Sequence, residues 1–206
     1  MYNAFAQNPK ITFALYKLED LLNQQRENPH PDYDHITSHK SEVLASYQPI
    51  FEEDHIAKLT RAEFESFLLF RNNYHWDSLH RVGKFMTEDM DLLREALSIL
   101  LDEGRPVQDR LNELRPERYW GEHSKVPYLG IPVLTAILQV THPEHYGVWN
   151  NTSDAGLKKV KLWNKHWETQ LSGDSYVEMN EIYLYLAQSL KTDLWTLDAL
   201  WWVIKK

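Results

Sequence analysis

Apolar residues recur along this chain at spacings of three and four, the period that lays side chains along one stripe of an α-helix. Between Asp89 and Glu103, Met90, Leu93, Leu97 and Leu101 share a stripe that Ile99 and Leu100 widen, with Thr87 as a candidate N-cap and Gly104 as a stop. The same spacing predicts helices over Ile11–Gln25 and Ile36–Tyr47, and Thr60 with Glu63 is a capping-box signature opening Arg61–Asn73. A first-turn proline starts Pro106–Leu114. Ile131–Val140, Ser153–Val160, Tyr176–Leu190 and Asp193–Ile204 complete the set, the last capped by Thr192. No period-two alternation lasts long enough to predict a strand. The pattern is that of an all-α protein, read as one domain over residues 1–206. Within it the loop Asn28–Asp34 sets a first helix (1–35) apart from the main helical body (36–206).

Composition adds a large core to this picture. The 206 residues are 43% hydrophobic and include 8 Trp and 11 Tyr, enough for aromatic pocket walls as well. The tryptophans of the last predicted helix, Trp195 and Trp201, share its inward stripe with Leu194, Leu197, Leu200 and Ile204 and read as core. Cysteine is absent, which excludes disulfides and thiolate metal sites and fits a reducing compartment. The N-terminal MYNAFAQNPK lacks the basic-then-apolar pattern of a signal peptide. The most apolar segment, Leu194–Ile204, is too short to span a bilayer. A cytoplasmic location without a membrane partner is therefore expected. The 10 His show no H-E-x-x-H spacing, and phosphate-loop, nucleophile-elbow and dinucleotide motifs are missing, so neither metal nor cofactor is expected.

A net charge of −8 disfavours nonspecific nucleic-acid binding by the chain as a whole. The charge is uneven, however. Residues 1–114 carry 12 Lys and Arg against 20 Asp and Glu, whereas 115–166 carry 7 against 4. Inside that basic segment, residues 125–163 read KVPYLGIPVLTAILQVTHPEHYGVWNNTSDAGLKKVKLW. A tight turn, Pro127-Tyr128-Leu129-Gly130, opens an apolar helix. A loop with Pro143 and Gly147 follows, and the polar cluster Asn150–Asp154 starts a helix that ends on Lys158, Lys159 and Lys161. A glycine turn before a helix can offer backbone N–H groups to a phosphate. An amide and a carboxylate at a helix start can bind a water or stabilise a developing charge.

At these residues the chain resembles the helix-hairpin-helix DNA glycosylases. Their hairpin reads Leu-Pro-Gly-x-Gly, and a catalytic aspartate follows the hairpin proline by 23 residues. Here Pro127 matches the proline, Gly130 the second glycine, and Asn150 falls on the aspartate position after Val148-Trp149. Tyr128 replaces the first hairpin glycine, Asp154 is the nearest carboxylate, and Pro132 stands where members with lyase activity carry lysine. The resemblance covers about a fifth of the chain. It implies a two-lobed helical fold with the hairpin and its helix at about 126–140, and a monofunctional enzyme that attacks with water. A broader likeness over roughly residues 70–205 (NNYHWDSLHR, YGVWNNTSDAGLKKVKLW, DLWTLDALWW) is to a bacterial domain found alone or beside restriction-type modules. That company implies an anti-phage glycosylase acting on glucosylated hydroxymethylcytosine.

Each candidate also has a purely structural alternative. Asn150 either orients the attacking water or caps a helix. Asp154 either stabilises a positive sugar or is a first-turn acid favoured by the helix dipole. Lys125, Lys158, Lys159 and Lys161 either contact phosphates or form a solvated face. Gly130 exposes its N–H or permits the turn, and Tyr128 belongs to the same contact surface. Asn73, Tyr74, His75 and Trp76, within a polar-aromatic knot that begins at Asn72 and is followed by His80, Arg81 and Lys84, either hold a flipped base or form a buried turn. Tyr146 and Trp149 are further candidates for base-pocket walls. The expected partner is DNA. A modified-base reader without catalysis, and a helical interaction module of a defence system, are the rival functions.

Overall fold

The computed structural model describes residues 5–77, 79–114, 125–169 and 172–205, and among these every regular element is helical. The helices of eight or more residues are α1 (Pro9–Glu27), α2 (Pro31–Ser38), α3 (Lys40–Tyr47), α4 (Arg61–Leu68), α5 (Met90–Leu100), α6 (Val107–Leu114), α7 (Ile131–Thr141), α8 (Asn151–Lys159), α9 (Gly173–Ser189) and α10 (Leu194–Ile204). None of the described helices is long and apolar enough to cross a membrane.

Capping chemistry sets most of the boundaries. Asn8 accepts the Lys10 N–H at 2.9 Å, and Pro9 supplies the first turn of α1, whose inward residues Ile11, Ala14, Leu18 and Leu22 are buried. The expected loop Asn28–Asp34 is partly helical, because the His30 ring accepts the Asp32 N–H at 3.2 Å and Pro31 opens α2. The helix expected over Ile36–Tyr47 is broken at His39. The box at Thr60 and Glu63 is formed in full. Thr87 is not a cap: its hydroxyl donates to Glu65 at 2.9 Å, and Asp89 caps α5 instead. Asp193, likewise, caps α10 in place of Thr192.

The helix expected over Arg61–Asn73 ends at Leu68, and the reason is Asn73. Its side chain donates to the Phe67 carbonyl at 2.9 Å and accepts from the His75 and Trp76 N–H groups at 2.9 and 2.7 Å. An asparagine that satisfies the backbone in this way competes with helix continuation. Tyr74 leaves the following single turn with a left-handed φ of 55°.

Buried apolar side chains from Ile11 to Trp201 form one contiguous cluster. Helix α7 is almost wholly buried in it. Helix α10 packs against α2 and α8, and α6 against α9. The α8–α10 contact is close enough to demand Gly156, since a Cβ there would meet the Trp201 ring at 2.4 Å.

Candidate functional site

The turn before α7 is held by its own backbone. Leu129 donates its N–H to the Val126 carbonyl at 3.2 Å, and Gly130 donates to the Tyr128 carbonyl at 2.8 Å. Of the two alternatives for Gly130, exposing its N–H or permitting the turn, the structure has the N–H engaged within the turn. Gly130 has an extended backbone, and Tyr128 takes the left-handed conformation at φ 64°. The residue standing where the resembled hairpin has its first glycine therefore adopts the backbone a glycine takes freely, at a cost of about 1–2 kcal/mol. Its ring is 44% exposed and packs on Phe85, centroids 4.9 Å apart.

Helices α7 and α9 together place the 142–150 loop. Trp149 donates its backbone N–H to the Thr135 hydroxyl of α7 at 3.0 Å. Gly147 donates to Asn180 of α9 at 2.8 Å, Asn180 donates to the His145 carbonyl at 2.8 Å, and the Tyr176 hydroxyl donates to the Gly147 carbonyl at 2.9 Å. These bonds deliver Trp149 and Asn150 to the start of α8.

There Asn150 is the N-cap. Its side-chain oxygen accepts from the Thr152 and Ser153 N–H groups at 2.7 and 3.0 Å, and the Ser153 hydroxyl accepts the Asn150 N–H at 2.9 Å. Of its two sequence alternatives, the cap is the one with partners in the structure. Asp154 sits half-buried in the first turn of α8 and accepts the Trp149 indole N–H at 2.7 Å. The two residues proposed for catalysis are therefore adjacent, with different duties: the amide holds the helix start, and the carboxylate is fixed by an aromatic donor beside it.

The lysines divide. Lys158 and Lys159 are exposed in the last turn of α8, and the Lys158 ammonium lies 4.4 Å from the Trp163 ring centre. Lys161, at a left-handed φ of 63°, places its ammonium 4.9 Å from the ring of Phe13 in α1. Lys125 is drawn instead to Glu95 of α5 at 2.7 Å.

The expected base pocket does not assemble. A stacking platform needs an open ring face, and Asn73, His75 and Trp76 are at most 2% exposed. His75 stacks on Trp76 at 4.7 Å and lies 2.8 Å from Asp198, off the line of a hydrogen bond. Tyr74 points elsewhere, stacking on His39 at 4.1 Å. Trp149 is buried against Trp167, and Tyr146 is buried with its hydroxyl donating to Glu103 and accepting from Arg110, each at 2.8 Å. In this knot the Asn73 amide serves the backbone of a core turn, while the His75 and Trp76 rings pack within the core.

Sequence reasoning missed the partners of Tyr146. Burial would raise the Glu103 carboxyl, but hydrogen bonds from Arg110 and Tyr146 outweigh it and hold Glu103 below the usual glutamate range. Burial and the Glu103 bond push the Tyr146 hydroxyl up. Of these groups Glu103 also lines a separate cleft of about 920 Å³, together with Glu52, Glu53 and Asp102, an acidic surface that repels a polyanion. Among the described residues no group of three or more His, Asp and Glu is placed to hold a metal ion. No family model matches the chain, and neither the curated proteins nor the solved structures contain a match.

Proposed function

We propose that the chain is a monofunctional DNA glycosylase that hydrolyses the N-glycosidic bond of a modified base, in phage DNA, and leaves an abasic site. The observation that carries this reading is the Asp154 carboxylate, half-buried at the start of α8 and held by the Trp149 indole. As the bond from C1′ to the base nitrogen breaks, its electron pair leaves with the base and positive charge develops on the sugar. A carboxylate already fixed in place stabilises that charge without reorganising. A water then bonds to C1′, and the proton it gives up passes to the nitrogen of the departed base. Asn150 acts in this reading as a positioning residue, because its cap sets the first turn that carries Asp154. Pro132 has no amine, so no Schiff base forms and the strand is left intact. Lys158, Lys159 and Lys161 meet phosphates, and the nucleotide is extruded at an unstacking cost of a few kcal/mol.

One observation favours a second reading, a modified-base reader without catalysis. Asn150 stands at the position of the family's aspartate, and its side-chain oxygen is committed to two helix N–H groups. Duplexes carrying cytosine, hydroxymethylcytosine or its glucosylated form separate the two when incubated with the protein and then with alkali. Alkali-labile sites in a modified duplex, with no borohydride-trapped complex, support the glycosylase. Tight binding of a modified duplex without such sites supports the reader, and neither binding nor excision sinks both.

A further inference from the structure

The basic end of α8 does not stand alone, because the fold brings the first helix against it. Beside Lys161 and Phe13 lies a cleft of about 390 Å³, formed by the start of α1, residues 162–167 and the face of α9. That volume is within the roughly 300–1,000 Å³ of small-ligand sites. Its walls are aromatic. Trp163 is half-exposed and meets Trp167 edge-on, centroids 5.4 Å apart, and Phe5 lines the cleft with its ring packed on Tyr185.

The polar groups of the cleft have a definite order. Glu178 is fixed by two donors, the Trp167 indole at 2.9 Å and the His166 ring at 3.0 Å. Glu181, one turn further along α9, lines the cleft and makes no hydrogen bond or ion pair with the described residues. Lys10 lines the cleft, Lys165 is exposed on the adjoining 162–167 segment, and Lys158 lies over the Trp163 ring. Carboxylates inside exclude a bare anion from the interior, and lysines outside favour one at the mouth. A flat ring with amino hydrogens, joined to a phosphate, satisfies both together with the half-exposed indole.

We infer that this cleft binds one unpaired nucleotide carrying an amino-bearing base, the ring stacked on Trp163, the amino group donating to Glu181 and the phosphate at Lys10 and Lys165. Stacking on an aromatic platform inside a basic groove is the general way proteins hold unpaired nucleotides. A carboxylate acceptor adds a preference, since cytosine offers its N4 amino group there and thymine offers a carbonyl. The cleft adjoins the proposed site through Trp167, whose ring meets that of Trp149, the residue that holds Asp154. The inference rests on the nucleic-acid reading for its class of ligand and requires no bond cleavage.

The test is titration calorimetry of the full chain with dCMP and dTMP, alongside the excision assay above. The wild type should bind dCMP at least fivefold more tightly than dTMP. Glu181→Gln should erase that difference, and Trp163→Ala should weaken dCMP by about tenfold. Both side chains reach the surface, so thermal melts should stay close to wild type and confirm folded variants. Absence of dCMP binding, equal binding of dCMP and dTMP by the wild type, or unchanged binding in folded Trp163→Ala overturns the inference. Nucleotide binding without excision leaves the cleft standing and removes the glycosylase; excision without nucleotide binding does the reverse.

Discussion

Replacing Asn150 by alanine separates a helix cap from a catalytic amide. The substitution removes one acceptor that serves two N–H groups, those of Thr152 at 2.7 Å and Ser153 at 3.0 Å. Losing an N-cap costs about 0.5–2 kcal/mol, the low end applying where water replaces the acceptor. Here Thr152 and Ser153 are 8% and 0% exposed, so water reaches the orphaned donors poorly and the cost should lie near the top of that range. About 2 kcal/mol in a domain of this size lowers the melting temperature by about 4–8 °C. Asn150→Asp and Asn150→Ser keep the acceptor and should each remain within about 0.5 kcal/mol of wild type. Urea titration gives the stability of all three variants, and excision per folded molecule is measured on the same preparations. Asn150→Ala melting with the wild type would refute the cap argument. Loss of excision in the serine and aspartate variants at full stability would restore Asn150 to the chemistry.

Three further outcomes follow from other contacts. Gly156→Ala drives a methyl into the Trp201 ring and should destabilise the fold by about 1–3 kcal/mol, read as a lower denaturant midpoint. Burial would raise the Asp193 carboxyl, but the bonds from Lys40 and Thr196 hold it below the usual aspartate range. Its stabilisation is therefore complete above the unfolded-state value near 3.9 and lost as pH falls through the lower folded-state value. Asp193→Asn should flatten that limb of the stability profile, and an unchanged limb would contradict the assignment. DNA affinity should fall linearly in log–log form with salt, and Lys158→Glu with Lys159→Glu should weaken all duplexes alike; unchanged affinity moves the binding face elsewhere.

The helices were legible because their inward stripes, such as Ile11 to Leu22 and Met90 to Leu101, repeat at the helical period over several turns. Their ends were less so. Thr87, Thr192 and Asn150 all belong to residue types that cap, and only tertiary contacts decide which of several neighbours does it: Glu65 draws Thr87 away, and Asn150 prevails over Asn151. The breaks at His39 and Leu69 depend on bonds that periodicity does not carry, above all those of Asn73. Polarity misled at Asn72 to Trp76, where the amide is a backbone substitute inside the core. The cleft at Trp163 joins residues 5–11, 162–167 and 178–182, far apart in sequence, and has no local signature at all.

Asp154 carries the proposed chemistry, and Asp154→Asn addresses it with little disturbance because the asparagine oxygen still accepts the Trp149 indole. The decisive measurement is the single-turnover excision rate of wild type and Asp154→Asn on a duplex containing glucosylated hydroxymethylcytosine, with abasic sites revealed by alkali and folding verified on the same samples. Loss of a fixed charge at a reacting centre costs a factor on the order of a hundred or more. The account predicts excision by the wild type and a fall of at least that size in a variant that melts normally. Equal excision by both proteins, or none by the wild type on this or any other modified duplex, contradicts it.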